Sequence, residues 1–197
     1  IITGANSGIG KAAAIKIAEQ GHNIVIACRS SEKGKNALNE IKLKSNNNNI
    51  DLMIVDMSLQ SSIKKFSESF KSKYSQLDII IHNAANFDIR QKLPINTVEG
   101  IESIWATNHL GPVLLTKLLL DPLKRSKQGR VITVSSKGLI LYPFLKINIE
   151  DPEFKRCKFS AQKAYYQSKL AQVMYTYWLK DKLKDTNITV NAIRVTN

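Results

Sequence analysis

A tyrosine and a lysine on one helical face are the side chains of this sequence best suited to proton transfer. Tyr165 and Lys169 are four positions apart in a helix predicted from about Ser160 to Lys184, so both lie on the same face. A tyrosine hydroxyl with an ordinary pKa of about 10 is a weak acid-base group at neutral pH, and a neighbouring ammonium favours its phenolate form. The pair therefore indicates carbonyl reduction, although the same spacing also arises by chance on a helix surface.

A glycine-rich segment near the start of the chain is suited to binding phosphate. Thr3 to Gly10 follows an apolar strand and opens a helix, where backbone N–H groups and the helix dipole attract an anion. Gly4 permits the tight turn, Gly8 lets the backbone approach a pyrophosphate, and Gly10 allows close packing of the helix on the strand. A nucleotide-hydrolysing loop is excluded, because a magnesium-binding hydroxyl is missing after Lys11.

An arginine at the end of the second predicted strand bears on the choice of cofactor. Arg29 lies nineteen positions after Gly10, where an acidic side chain would bind the 2′-hydroxyl of NAD. A guanidinium at this point instead suits the 2′-phosphate of NADP. Arg29 therefore favours NADP(H) over NAD(H), and the alternative is an exposed arginine with no ligand.

Short β-branched runs alternate along the chain with longer amphipathic stretches, as a parallel sheet covered by helices requires. The predicted strands are Ile1-Ile2, Ile24 to Ala27, Leu52 to Val55, Asp78 to Ile81, Val131 to Val134 and Thr189 to Ile193. Helices are predicted over Lys11 to Gln20 and along an apolar stripe from Ile63 to Tyr74. The pattern predicts one α/β domain over residues 1–197, a doubly wound Rossmann-type sheet that stops after the sixth strand.

Composition limits the classes of function. The hydrophobic fraction is 43%, and no apolar run approaches the roughly 20 residues of a membrane-spanning helix. Cys28 and Cys157 lack metal-ligand spacing, so no metal site is predicted, and a cytoplasmic location is expected. The net charge of +13 fits a lysine-rich solvated surface or an anionic partner. Because the lysines are scattered, no nucleic-acid binding is predicted, and membrane association stays open.

Several motifs occur in one order along the chain: Thr3 to Gly10, Ala27-Cys28-Arg29-Ser30, Asn83-Ala84-Ala85, Thr107 to Gly111, Ser135-Ser136 and Ala164 to Ala171. In this combination they resemble the short-chain dehydrogenase/reductase family. The first, second, fourth and last of them resemble most closely its retinol-dehydrogenase-like and WW-domain-oxidoreductase-like members. Each motif is modest alone, but the joint match covers essentially the whole chain.

The resemblance implies a role for each matching residue. Tyr165 would be the general acid, Lys169 would hold the nicotinamide ribose and lower the tyrosine pKa, and Ser136 would orient the substrate oxygen. Asp56 would contact the adenine amine, and Asn83 and Ala84 would lie beside the adenine ribose. The alternative for all three is a cap at the end of a strand. The implied cofactor-binding set is Gly4, Asn6, Ser7, Gly8, Ile9, Gly10, Arg29, Asp56, Met57, Asn83, Ala84, Tyr165 and Lys169.

Asn108 completes the implied catalytic set through its backbone. Pro112 is predicted four residues later in the same helix and has no N–H, so the Asn108 carbonyl is left without its usual partner. In the family this carbonyl anchors a water that links the catalytic lysine to solvent. An incidental proline that bends the helix for packing is an equally good interpretation.

Three departures from the family pattern are visible. Ser136 and Tyr165 are 29 positions apart, which implies an insertion over roughly Leu141 to Arg156, either a surface excursion or a source of substrate contacts from Tyr142, Pro143 and Phe144. Ala85 replaces the usual glycine. Arg194-Val195-Thr196-Asn197 replaces the usual Pro-Gly turn, and a fragment of a longer enzyme is the favoured explanation.

Together these observations predict an NADP(H)-dependent oxidoreductase that exchanges hydride between nicotinamide and a carbonyl or alcohol. The resemblance implies a small hydrophobic substrate, such as an aldehyde, ketone, retinoid or steroid, and leaves a homo-oligomer possible. The alternative is a non-catalytic NADP(H)-binding sensor or scaffold that keeps the fold.

Overall fold

Six parallel strands form the single sheet of this protein, whose computed structural model describes residues 1–195. The strands are β1 (Ile2–Thr3), β2 (Ile24–Cys28), β3 (Ile50–Ile54), β4 (Ile79–His82), β5 (Gly129–Ser136) and β6 (Ile188–Val195). Their order across the sheet is β3-β2-β1-β4-β5-β6, and every neighbouring pair is parallel. The order reverses between β1 and β4, and in such sheets a ligand crevice opens at the carboxyl ends of the strands at this point.

Seven α-helices connect and cover the strands in the described part of the chain. They are α1 (Gly8–Glu19), α2 (Ser31–Ser45), α3 (Gln60–Lys73), α4 (Ser103–Trp105), α5 (Gly111–Leu118), α6 (Leu120–Lys124) and α7 (Ala161–Lys182). Ser30 and Ser160 cap α2 and α7 by accepting from backbone N–H groups of Lys33 and Lys163, each at 3.3 Å. None of the helices within residues 1–195 is long and apolar enough to cross a membrane.

Alternate side chains of the central strands enter two apolar layers on opposite faces of the sheet, as period-two geometry requires. On one face, Ile24 and Ile26 pack with small residues of α1 and α2 such as Ala14 and Ala37. On the other face, the cluster contains Val25, Ala27, Ile80 and Val131 together with Phe66, Phe70, Leu115 and Leu179 from α3, α5 and α7. Helices on both faces confirm the predicted α/β doubly wound architecture.

The last strand is longer than predicted, as is β5, which extends two residues beyond its prediction at each end. β6 continues through Arg194 and Val195, two residues beyond the predicted end of this strand at Ile193. They pair with Ser135 and Ser136 of β5, which is itself longer than predicted at this end. Thr196 and Asn197, the other two residues that stand in place of the usual Pro-Gly turn, lie outside the described residues.

The segment around Asn108 is not the continuous α-helix that the sequence predicted. α4 passes into a π-helical turn over Ala106–Leu110, and the N–H of Gly111 donates to the carbonyl of Ala106 five residues earlier. Pro112 then lies in the first turn of α5, where a missing N–H is tolerated. The bend is therefore a π bulge, a feature often found at functional sites.

Candidate active site

A cavity of about 380 Å³ opens at the carboxyl edge of the sheet where the strand order reverses. Its lining contains eight residues of the predicted cofactor set: Gly4, Asn6, Ser7, Arg29, Asp56, Met57, Asn83 and Ala84. A larger cavity of about 850 Å³ lies at the amino edge beside Ile1 and His22 and contains none of the predicted site residues. We place the candidate cofactor site at the smaller cavity, because predicted cofactor residues from several strand ends converge there. The predicted catalytic residues Ser136, Tyr165 and Lys169 are not among its lining residues.

The glycine loop is held tightly on one side and left open on the other. A Cβ on Gly4, whose φ is +67°, would lie 2.9 Å from the Cα of Ala84, and a Cβ on Gly10 would reach the Asn83 amide. Gly8, with φ +53°, has no atom within 4 Å of an added Cβ. Ser7 makes no side-chain cap at the start of α1, so the first N–H groups of this helix keep the capacity to bind an anion.

Thr3 and Asn83 lock the glycine loop to the end of β4. The Thr3 hydroxyl accepts from the backbone N–H groups of Asn83 and Ala84 at 3.0 and 3.1 Å. The Asn83 amide donates to the carbonyl of Thr3 at 2.9 Å. Asn83 therefore fixes the turn with its side chain and is also one of the residues that line the cavity, while its contact with a cofactor stays a prediction.

Arg29 and Asp56 are the charged side chains that line the cavity within residues 1–195. Arg29 is 79% exposed, and its guanidinium lies 4.0 Å from the Asp56 carboxylate. Asp56 also accepts from the Ser58 N–H and hydroxyl at 2.9 and 2.7 Å, so its position is fixed locally. The nearby Lys11 is paired with Glu40 at 2.6 Å. Arg29 is thus an exposed cation at the cavity whose contact with Asp56 is long, which leaves its other guanidinium N–H groups open to a ligand.

The structure brings Tyr165, Lys169 and Ser136 together at the end of β5. Burial raises the pKa of the Tyr165 phenol, and hydrogen bonding to Ser136 opposes part of that increase. Lys169 is not among the causes of this shift, so its lowering of the tyrosine pKa stays a prediction. The Lys169 ammonium lies 5.8 Å from the centre of the tyrosine ring. Ser136 also accepts from the Gly138 N–H at 3.1 Å, which orients its hydroxyl at the strand end. The three predicted polar groups therefore occupy one small region.

Lys169 is almost completely buried, with 2% of its surface exposed. Its ammonium donates to the Val134 carbonyl at 2.9 Å and to the Gln172 side-chain oxygen at 3.2 Å. Desolvation lowers the pKa of Lys169 to about 8. The ammonium is therefore held by neutral oxygens, and its protonation responds to pH just above neutrality.

Asn108 lies in the π-helical turn with its side chain fully buried and fully bonded. Its oxygen accepts from the Asn86 N–H at 2.7 Å, and its amide donates to the Asn86 carbonyl at 3.0 Å and to the Ser168 hydroxyl at 3.1 Å. The side chain thus joins the loop after β4 to the residue next to Lys169. The water-anchoring role of its backbone carbonyl stays a prediction.

Aromatic side chains cover the tyrosine and join it to the inserted segment. Phe87 packs on the Tyr165 ring with centroids 4.3 Å apart, and Tyr166 packs on its edge at 5.3 Å. Tyr142 of the segment stacks on Tyr166 at 4.7 Å. Phe144 of the same segment is 90% exposed. Of Tyr142, Pro143 and Phe144, the three residues predicted to contact substrate, Tyr142 therefore packs against the aromatic residue next to Tyr165.

The residues present fit a bound dinucleotide. The uncapped start of α1 and the open side of Gly8 suit a pyrophosphate, and they lie beside the cavity that Arg29 and Asp56 line. The pattern of the sequence did not identify Thr3, Asn86, Phe87 or Gln172 as members of the site. Of these, Thr3 carried a visible signal, because it directly precedes Gly4 at the end of a strand.

Comparison with known proteins defines the class. The model of the short chain dehydrogenase family matches residues 1–144. Human retinol dehydrogenase 13 is 36% identical over 193 residues, which cover 98% of this chain and 56% of that protein. Dehydrogenase/reductase SDR family member 12 of Bos taurus is 40% identical over 176 residues, covering 89% of this chain and 53% of that protein. The chain belongs to the short-chain dehydrogenase/reductase family of oxidoreductases.

Solved structures agree with this assignment. An uncharacterised protein from Mycobacterium paratuberculosis superposes with a TM-score of 0.84 at 33% identity, covering 98% of this chain and 66% of that one. A metagenomic short-chain oxidoreductase in complex with NADP shares the fold with a TM-score of 0.77 at 22% identity, covering 100% of this chain and 80% of that one. The resemblance to retinol-dehydrogenase-like members is confirmed, and the chain spans about half the length of the curated relatives it matches.

Proposed function

We propose that this chain carries the cofactor site and the catalytic residues of an NADP(H)-dependent oxidoreductase that interconverts carbonyl and alcohol groups. The observation that carries the proposal is the convergence of Tyr165, Ser136 and Lys169 at the carboxyl end of β5. A bound nicotinamide cofactor would supply hydride in reduction and accept it in oxidation.

The proton chemistry belongs to the protein. Because burial raises the pKa of Tyr165, its phenol is protonated near neutral pH and is able to donate to a carbonyl oxygen during reduction. Ser136 would hold that oxygen through its hydroxyl. The phenolate that remains after proton transfer is stabilised by the positive charge of Lys169, whose ammonium is 5.8 Å from the ring.

The choice of NADP over NAD rests on Arg29. Its exposed guanidinium lines the cavity, and a planar guanidinium binds a phosphate group through paired hydrogen bonds. Gly4, Asn6, Ser7, Gly8, Ile9 and Gly10 would hold the pyrophosphate, and Asp56, Met57, Asn83 and Ala84 would hold the adenosine part. Asn108 would support Lys169 through the water bound at its carbonyl.

The proposed substrate is a small hydrophobic carbonyl or alcohol. Phe87 is 44% exposed beside Tyr165, and apolar side chains such as Ile140 and Leu141 stand exposed in the segment that follows Ser136. Relatives at 36–38% identity are named retinol dehydrogenases 12 and 13. A substrate with an apolar body and one reducible oxygen matches these surroundings.

The test is NADPH consumption by the full-length protein with a panel of retinoid, steroid and aliphatic carbonyls. Tyr165→Phe removes the proton donor and keeps the ring, so we expect it to lower kcat by roughly 100-fold or more, while NADPH binding measured by fluorescence stays close to wild type. Tyr177→Phe is the matched control, because Tyr177 is 67% exposed on the same helix. Equal rates for wild type and Tyr165→Phe, or cofactor binding without turnover on any carbonyl, would contradict the proposal.

A further inference from the structure

The surroundings of the buried Lys169 ammonium contain a second polar side chain that the sequence pattern did not single out. Gln172 is 2% exposed and lies three residues after Lys169 on α7. Its side-chain oxygen is 3.2 Å from the lysine Nζ. Within residues 1–195 it is the one side chain that accepts a hydrogen bond from this ammonium, and the other acceptor is the backbone carbonyl of Val134.

The groups that face Lys169 from the neighbouring elements supply no negative charge. From β4 the facing titratable group is His82, whose pKa burial lowers to about 3, so it is neutral at physiological pH. From α7 it is Tyr165, whose pKa is raised and which is therefore also neutral. Within the described residues no carboxylate pairs with Lys169, so the ammonium depends on neutral oxygens to offset its burial.

The orientation of the Gln172 amide follows from this contact. An ammonium only donates hydrogen bonds, so the amide oxygen must face it. The amide nitrogen then points elsewhere and has no partner in the structure, although it is buried. A buried donor without a partner destabilises the fold. The contact with Lys169 therefore leaves the amide nitrogen of Gln172 without a hydrogen bond.

We propose that Gln172 is a positioning residue for Lys169. The Gln172 oxygen and the Val134 carbonyl each accept one N–H group of the ammonium. The third N–H group is then able to point toward Tyr165 and the cofactor ribose. The catalytic consequence rests on the proposed function, whereas the effect on the lysine itself does not.

Two substitutions change the lysine in opposite directions. Gln172→Met keeps the length of the side chain and removes the acceptor, so the charged lysine loses a stabilising bond and its pKa falls below the present value of about 8. Gln172→Glu places a carboxylate at the same point, which favours the ammonium and raises the lysine pKa by about one unit or more. A glutamine that only fills space beside the lysine would leave the Lys169 pKa unchanged in Gln172→Met.

The matched control is Gln167→Met. Gln167 is also fully buried on α7 and also has an unpartnered amide atom, but its nitrogen donates to the Pro152 carbonyl at 2.6 Å instead of contacting Lys169. It therefore reproduces the loss of a buried amide without touching the lysine.

The experiment is a pH titration of the lysine side-chain NMR signals in the full-length protein without cofactor, with the Lys169 signal assigned by its loss in Lys169→Arg. We expect a lower Lys169 pKa in Gln172→Met, a higher one in Gln172→Glu, and the wild-type value in Gln167→Met, each protein being checked for native circular dichroism. In NADPH turnover, the pH at which activity is lost on the alkaline side should move with the lysine pKa.

The outcomes separate the two claims. A Lys169 pKa that is the same in wild type and Gln172→Met would overturn the positioning role, whatever the enzyme assays show. If Gln172→Glu does not fold, the Gln172→Met and Gln167→Met pair decides alone. Opposite pKa shifts in a protein that turns over no carbonyl would support the positioning role and contradict the proposed function.

Discussion

At the scale of single residues, the two cations of the candidate site lie in opposite environments. Arg29 is 79% exposed at the rim of the cavity, and Lys169 is 2% exposed beneath Tyr165. An exposed guanidinium keeps its full charge and is free to pair with an incoming phosphate. A buried ammonium instead has a lowered pKa, which lets its protonation change near physiological pH. Each position therefore suits the part of the cofactor that it would meet.

Arg29→Ser tests the proposed preference for NADP. Removing a charge-assisted bond of about 1.5–3 kcal/mol should raise KM for NADPH by roughly 10- to 100-fold, with little change in KM for NADH. Arg130→Ser is the control, because Arg130 is an exposed arginine at the opposite, amino end of β5. Steady-state kinetics with both cofactors measure the effect. An equal loss with NADPH and NADH would contradict a role in binding the 2′-phosphate.

Some residue roles were visible in the sequence and others were not. Tyr165 and Lys169 were predicted together because helical spacing places them on one face and the accompanying motifs resemble those of one family. Gln172 follows at the same kind of spacing, but a glutamine in a helix ordinarily indicates a solvated face, so its burial was hidden. Phe87 gave no signal either, since its contact with Tyr165 depends on the path of a loop.

At the scale of the elements, a buried histidine joins β4 to α5. The Nε2 atom of His82 lies 2.7 Å from the Thr116 hydroxyl, and its Nδ1 atom has no partner. Burial lowers the pKa of His82 from 6.5 to about 3. The folded protein therefore keeps the imidazole neutral in a pH range where the unfolded chain binds a proton.

This difference predicts a specific acid sensitivity. The contribution of the neutral His82 to the free energy of unfolding is complete above pH 6.5. It decreases as the pH falls toward 3, because His82 of the unfolded chain binds a proton first. The loss is about 1.4 kcal/mol per pH unit within that window. In urea unfolding at pH 7 and 4.5, His82→Leu should lose about 2–3 kcal/mol less than wild type between the two pH values.

His22→Leu is the control for this measurement, because His22 is exposed at the amino edge of the sheet. It should retain the acid sensitivity of the wild type. A wild-type and a His82→Leu protein with parallel pH dependence would show that the histidine is not held neutral by the fold.

Most of the strands and helices were predictable from the sequence, but the π-helical turn was not. Strand and helix positions followed from apolar periodicity, so the six strands, the doubly wound sheet and the long helix α7 were anticipated, whereas the order of the strands across the sheet was not predicted. The π-helical turn at Ala106–Leu110 was not predicted either, because it depends on tertiary contacts. A Cβ on Gly111 would collide with the Met57 carbonyl, which shows how closely this helix approaches the loop after β3.

At the scale of the whole molecule, the inserted segment is tied down at one end and exposed at the other. The Glu153 carboxylate accepts from the Glu102 N–H at 2.9 Å, and Phe154 packs with Ile104 and Ala164. Phe144, ten residues earlier, is 90% exposed. The sequence predicted the insertion from its length, but its polar composition hid the Phe154 anchor. The anchored end holds the segment against α4 and α7, on the side of the molecule that carries Tyr165.

Phe154→Ala should detach this anchor. Removing a buried aromatic side chain should lower the free energy of unfolding by about 3 kcal/mol and speed proteolysis at Lys146 and Lys155. Phe144→Ala, in the same segment, should change stability by less than about 0.5 kcal/mol. Chemical unfolding and limited trypsin digestion measure both effects. Equal stability of the two variants would show that Phe154 does not anchor the segment.

The most direct measurement of the central claim is an experimental structure of the full-length protein with NADP⁺ bound. We predict the pyrophosphate on the N–H groups at the start of α1 and the nicotinamide ribose within about 3 Å of the Tyr165 hydroxyl and the Lys169 ammonium. A nicotinamide located away from Tyr165, or a Tyr165 hydroxyl that faces away from the bound cofactor, would contradict the assignment of these residues to catalysis.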